Sequence, residues 1–271
     1  MELTTNNIEP IKNKLSILIA QDGFSFCTGN KESHKVEELK HKAFLSQQTP
    51  ENLLKEIKVV LDSAFDTQEA IDELEVIYSN TLYTLVPNAY FTEENLTDYL
   101  KFNTKILATD YITFDDVEAI QAKNVYIPYT NINNYLFEKF GEFSFKHISS
   151  SLIELAKAQD LKTEVLLDVH PTHFHAVIFK EGELQLANSF NYHTKEDFIY
   201  YILFVLEQLE LDPLEVSVLI AGHIEKEDDN YNILSTYIKH LDFLKTDMTS
   251  ISLSENTTVN TPLHHLILSQ F

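Results

Sequence analysis

The chain lacks tryptophan, has one cysteine and five glycines, and sets only 20 basic residues against 42 acidic ones in 271. A lone cysteine, Cys27, excludes an intrachain disulfide and suits a reducing cytoplasm. It lies in a strand-like FSFC run with Phe24 and Phe26, so packing is expected of it rather than nucleophilic chemistry. The net charge of −22 excludes a polyanion as the natural partner, because no run of basic residues offsets it. Long apolar runs are missing too. The start, MELTTNNIEPIKNK, has no basic leader region, and the Leu15–Ala20 run after it is too short for a signal core or a membrane span. Neither export nor membrane insertion is expected. Nucleophile elbow, Walker loop, dinucleotide fingerprint and His-Glu-x-x-His are all absent.

What is present reads as alternating strands and helices. Leu15–Ala20 and Phe24–Thr28 form a hairpin about Gln21-Asp22-Gly23. Thr49-Pro50-Glu51 opens a helix whose Leu53, Ile57, Val60, Leu61 and Ala64 share a face. Leu74–Tyr78 and Leu82–Val86 read as strands, and Thr92 is expected to cap a short helix carrying Leu96, Tyr99 and Leu100. Tyr111–Phe114, Asn124–Ile127 and Phe143–His147 read as short strands, with a helix ended by Gly141 before the last of them. Ser151-x-x-Glu154 has the form of a capping box for a helix ending near Asp160.

A second unit repeats the order. Glu164–Val169, Phe174–Lys180 and Leu184–Phe190 are strands, the latter two joined by a Glu181-Gly182 turn. Thr194-x-x-Asp197 caps a helix with the apolar face Phe198, Ile202, Val205, Leu206 and Leu209. Val216–Ala221 is the next strand, and Asp228 or Asp229 caps a further helix. Tyr200 and Phe204 fall on the flank of the first of these helices, where exposed aromatics would favour a protein partner.

Particular stretches resemble known motifs. Leu166-Leu167-Asp168-Val169-His170-Pro171-Thr172, followed by Phe174–Lys180, resembles the second phosphate motif of the actin, sugar-kinase and chaperone ATPase superfamily. Val218-Leu219-Ile220-Ala221-Gly222 resembles its adenosine motif. The phrases KLSILIAQDGFSF, TLVPNAYFTEENLTDYLKFN and FHAVIFKEGELQLANSFNYHTKEDFIYYIL are similar to an uncharacterised bacterial family, domain of unknown function 3822. The resemblance implies an α/β protein with mixed sheets: a duplicated actin-like ATPase fold (ribonuclease H-like) of two β-β-β-α-β-α units with a cleft between them. The units are expected at 1–160 and 161–271. By the same resemblance Asp168, Thr172 and Gly222 would be the nucleotide-binding residues, with ATP and Mg as the ligands.

Departures from the motifs point the other way. Phosphate loops need glycine so that backbone N–H groups can close on oxygen atoms, and here His170 and Pro171 occupy those places, Pro171 also lacking the donor. His223 follows Gly222 where a second glycine would admit adenosine, and the Asp22-Gly23 turn is too short to wrap a phosphate. The expectation is therefore a non-catalytic cytoplasmic scaffold or adaptor with a degenerate nucleotide site, a protein partner and no cofactor. A weak ATPase or kinase using Asp168 is the alternative.

The second alternative is a metal site at His170, His173 and His175, since His173 and His175 share one face of a strand and imidazole suits zinc, nickel or copper. His193 or Asp168 would have to supply a fourth ligand. The same alternation leaves the histidine face open to solvent or the cleft, without fixed geometry, so no metal is expected. His264 and His265, adjacent on a helix and about 100° apart, cannot chelate as a pair. The acid pairs Asp115-Asp116 and Asp228-Asp229 read as turn or cap residues.

Overall fold

Two apolar strands, each turned back on itself by a short tight turn, found the two sheets of this protein. The computed structural model describes residues 13–44, 46–65, 71–102, 104–158, 163–245, 251–254 and 260–271. The first sheet is reached through β1 (Asn13–Ala20), β2 (Gly23–Asn30), β3 (Lys35–Ala43), α1 (Pro50–Ala64) and β4 (Glu73–Ser79). An excursion follows, with β5 (Tyr83–Pro87), α2 (Leu96–Leu100), β6 (Thr113–Val117) and β7 (Ala122–Tyr126). The chain then returns through α3 (Thr130–Phe140), β8 (Ser144–His147) and α4 (Ile148–Ala158). Next come β9 (Thr163–Val169), β10 (His173–Lys180), β11 (Glu183–Asn191), α5 (Lys195–Gln208), β12 (Ser217–Gly222), α6 (Asp229–Tyr237) and β13 (His240–Phe243). The described chain ends with β14 (Ser252–Leu253) and α7 (Thr261–Leu268).

The two larger sheets share one plan. Strand order is β3-β2-β1-β4-β8 in the first and β11-β10-β9-β12-β13 in the second, and β14 adds to the outer edge of the first. In each, the first three strands pair antiparallel and the next two join in parallel. The element-level echo in the sequence is thus a duplication of topology. A separate three-stranded sheet, β5-β7-β6, is built by the excursion and was not anticipated.

Local chemistry explains the helix boundaries. The Thr49 hydroxyl caps α1 by accepting from the Asn52 N–H, and Thr194 with Asp197 forms the reciprocal capping box of α5. Three expectations need correction. Ser151 lies inside α4, which begins at Ile148 because Asp115 on β6 reaches across, its carboxylate accepting from the His147 N–H at 2.8 Å and the Ser150 hydroxyl at 2.6 Å. Asp115 is accordingly a strand residue that serves a distant helix start, and Asp116 pairs with Lys123. Thr92 heads only a 3-10 turn before α2 and makes no side-chain cap bond. Asp228 does stand at the N-cap position of α6, although its carboxylate accepts from Glu225 N–H rather than from the helix.

The outer faces of the sheets are covered by α1 with α3 and by α5 with α6, giving cores around Leu15, Ile17, Ile57 and Val76, and around Val165, Phe174, Phe198 and Val218. Each such side chain contributes about 1.5–3 kcal/mol on burial. Between the sheets, Ile77, Leu166, Val177 and Ala221 pack with Ile148 and Leu152 of α4 and Leu266 of α7. Residues 251–254 and 260–271, grouped with the second unit on sequence, lie against the first sheet as well: β14 pairs with β3, and α7 contacts β1, β2 and β12. Cys27 is buried with Val36, Ile267, Leu268 and Phe271, and burial pushes its thiol up to about 12, as fits a packing role.

At the end of β12 the backbone demands glycine. Gly222 has φ +89°, and a Cβ there would stand 2.1 Å from the Val169 carbonyl oxygen. Gly182 has a similar φ of +82° in open space. Gly222→Ala is therefore expected to cost on the order of 3 kcal/mol or more, from strain plus overlap, and Gly182→Ala only about 1–2 kcal/mol from strain. Urea unfolding midpoints of the two variants check the difference.

Candidate functional site

The duplicated topology brings Asp22, in the turn after β1, and Asp168, near the end of β9, to the same small cavity between the sheets. Both carboxylates are buried, at 4% and 2% exposure. The chain contains no arginine, and among the described residues no lysine lines the cavity, so the chargeable groups that meet these carboxylates there are histidines. Five separate segments deliver them: His41 from β3, His170 from the turn after β9, His173 and His175 from β10, His223 after β12, and His264 with His265 from α7.

Geometry within the cluster is tight. Nε2 of His170 is hydrogen-bonded to Oδ2 of Asp168 at 2.8 Å, and Nε2 of His265 lies 3.8 Å from the other oxygen of that carboxylate. Nδ1 of His173 lies 3.4 Å from Oδ2 of Asp22, to which the Thr172 hydroxyl also donates at 3.3 Å. The rings of His170 and His173 stack at 4.5 Å, and His175 stands edge-on to His173 at 5.0 Å. His175 is held at both nitrogens, by the Ser189 hydroxyl at 2.7 Å and the Ser79 hydroxyl at 3.1 Å. His41 and His223 share a 2.9 Å contact between Nε2 atoms, with Nδ1 of His41 at 2.7 Å from the Ser25 hydroxyl. Nδ1 of His223 and Nδ1 of His264 are buried and have no hydrogen-bond partner among the described residues.

Electrostatics separate these rings into two kinds. Burial by itself raises the carboxyls of Asp22 and Asp168. The His173 contact and the charge of His170 outweigh it at Asp22, the charge and hydrogen bond of His170 outweigh it at Asp168, and both are held well below the ordinary range. Burial lowers His170, yet the charge and hydrogen bond of Asp168 reverse this and raise it. Five other rings shift the opposite way: burial, then the charge of a neighbouring imidazole, lowers His173 and His41, holds His175 well below its usual value, and pushes His223 down to about 3 and His264 to about 4.

Several sequence expectations meet here. Asp168 and Gly222 are brought together by the pairing of β9 with β12, and Thr172 turns toward Asp22. His193 is exposed at the start of α5 and takes no part. The face carrying His173 and His175 is not open, as the alternation suggested; these residues are 7% and 1% exposed. The physical reason is that this face of β10 turns toward the first sheet, where Asp22 and Ser79 cover it, while Phe174, Ala176 and Ile178 fill the core on the other side. His264 and His265 do diverge as adjacent helical residues must, one toward His41 and one toward Asp168. His41, His223 and the α7 pair were missed as members of one cluster, because no spacing rule links segments so far apart.

What space remains is small. The cavity bounded by Asp22, His41, Asp168, His170, His223 and His265 has a volume of about 20 Å³. That admits one water, which needs roughly 10–15 Å³, and falls far below the roughly 300–1,000 Å³ of a small-molecule pocket.

This arrangement of two equivalent sheets with their first hairpins facing each other is that of an actin-like ATPase fold. The chain belongs to the family described as Protein of unknown function (DUF3822), whose model matches residues 3–241. A Bacteroides thetaiotaomicron protein with actin-like ATPase fold and unknown function superposes with a TM-score of 0.72 at 20% identity, covering 88% of this chain and 95% of its own. A chain of the PilM-PilN type IV pilus biogenesis complex gives 0.56 at 11% identity, with 96% and 98% covered. No curated protein matches. Among the described residues no helix is long and apolar enough to cross a membrane.

One buried ring outside the cluster gives a clean pH test. His147 is fully buried between Tyr83 and Tyr126, its nitrogens on the Asn80 carbonyl at 3.1 Å and the Ser149 hydroxyl at 2.7 Å, and burial pushes it down to about 3. Below about pH 6.5 the unfolded chain takes up a proton there that the folded protein refuses, so stability falls as pH falls. From pH 6.5 to 5, His147 accounts for a slope of up to ~1.4 kcal/mol per pH unit. His147→Gln is expected to flatten the measured stability–pH curve by that amount in this window, whatever it costs at pH 7.

Proposed function

We propose that this protein is a non-catalytic member of the actin-like fold: a scaffold or adaptor whose inter-sheet cleft is closed by its own side chains and holds no nucleotide. The observation that carries the reading is the 20 Å³ cavity at the place where the two hairpin turns meet. Its polar walls are mainly imidazoles and carboxylates, and the one glycine among them, Gly23, belongs to a tight hairpin turn rather than to a phosphate loop. Phosphate would meet Asp22 and Asp168, both held ionised, and no lysine among the residues lining the cavity. Asp168 is engaged by His170, which leaves it poorly placed to hold a metal-bound water for phosphoryl transfer.

A partnering role draws support from the surface. Tyr200 and Phe204 on α5 are 60% and 45% exposed, their rings stacked at 6.1 Å. Aromatic residues displayed in this way are enriched at interfaces. The structural likeness to a chain of a two-protein pilus complex agrees with an actin-like fold serving assembly, although the partner here is set by this chain's own surface.

Thermal denaturation with millimolar Mg-ATP tests the proposal. Binding at a hundredfold above Kd adds about 2.7 kcal/mol of stability. The expected result is an unchanged midpoint. A saturable upward shift with Mg-ATP that magnesium alone does not produce would favour the weak-ATPase alternative instead.

A further inference from the structure

The histidines of β10 and the turn before it have the construction of a metal site rather than of a chance cluster. His170, His173 and His175 are all buried, and each offers one ligand atom within 4.8 Å of the others. Each ring is also oriented through one nitrogen by a partner outside the trio: Asp168 on Nε2 of His170, Asp22 on Nδ1 of His173, Ser189 on Nδ1 of His175. Metal-ligating histidines show this pattern, the outer partner fixing the tautomer and leaving the second nitrogen for the ion. A solvated surface cluster has no such fixing.

We propose that His170, His173 and His175 bind a divalent transition ion of the zinc class, with a fourth position left to water. Three imidazoles with an open position form an established donor set for zinc. Ligands at roughly 2.0–2.1 Å around a tetrahedral ion stand about 3.3 Å apart, so binding draws the nitrogens inward by ring rotation and exchanges the Ser79 contact of His175 for the metal. The proposal goes beyond the scaffold reading and does not depend on it, because the ion needs no nucleotide.

The experiment uses the full chain purified without an affinity tag, stripped with chelator, and titrated with zinc chloride and, separately, cobalt chloride. The expected result is one ion per chain that survives dialysis against a mild chelator, with the intense visible absorption of four-coordinate cobalt. Ser189→Ala, which removes only an orienting partner, should weaken zinc binding ~10–100-fold. His173→Gln with His175→Gln should abolish it. Substoichiometric metal in the unchanged protein, the weak spectrum of six-coordinate cobalt, or equal uptake by the double variant would each overturn the site, the last by placing the ion on the acidic surface. Should the double variant fail to fold, the stoichiometry, the spectrum and Ser189→Ala decide the matter.

Discussion

Two carboxylates buried at one small cavity between two sheets constrain the groups around them. Asp22 follows the first strand of one sheet and Asp168 lies near the end of the first strand of the other, so the shared topology brings them to one cavity. An ionised carboxylate removed from water costs several kcal/mol unless charge and hydrogen bonds meet it. In a chain without arginine, and with no lysine among the described residues that line this cavity, imidazole is the remaining donor that is both compact and chargeable. Asp168 raises His170 toward its charged form, while burial lowers His173 and His175 beside it.

Phosphate needs a backbone cradle and positive surroundings, whereas this junction offers imidazole edges, two anions and room for one water. The same contacts tie the units together: His173 with Asp22, His175 with Ser79 and His41 with His223 all join residues of one sheet's unit to the other's. With α4 and α7 packed between the sheets, the junction has the character of a core more than of a hinge. On the proposed scaffold reading, such a closed junction has no need to open and shut on nucleotide.

The sequence made the architecture legible where patterns were local. Hairpins at Asp22-Gly23 and Glu181-Gly182, the Thr49 and Thr194 caps, and the apolar stripe of α5 depend on neighbours within a few residues, and they appear as read. Strand β3 did not, because KVEELKHKA buries only Val36 and its polarity reads as loop. The start of α4 was misplaced because its capping carboxylate, Asp115, comes from another strand. The site was half legible: His170, His173 and His175 stood out by spacing, but alternation could not say that the first sheet would cover their face. His41, His223, His264 and His265 joined them only through folding.

The central claim is that the cleft is closed by the histidine–aspartate network. A high-resolution crystal structure of protein grown with Mg-ATP and zinc tests it most directly. The expected result is His170 on Asp168, His173 beside Asp22 and no nucleotide between the hairpin turns. Density for ATP in the cleft, with those rings swung out to make room, would contradict it.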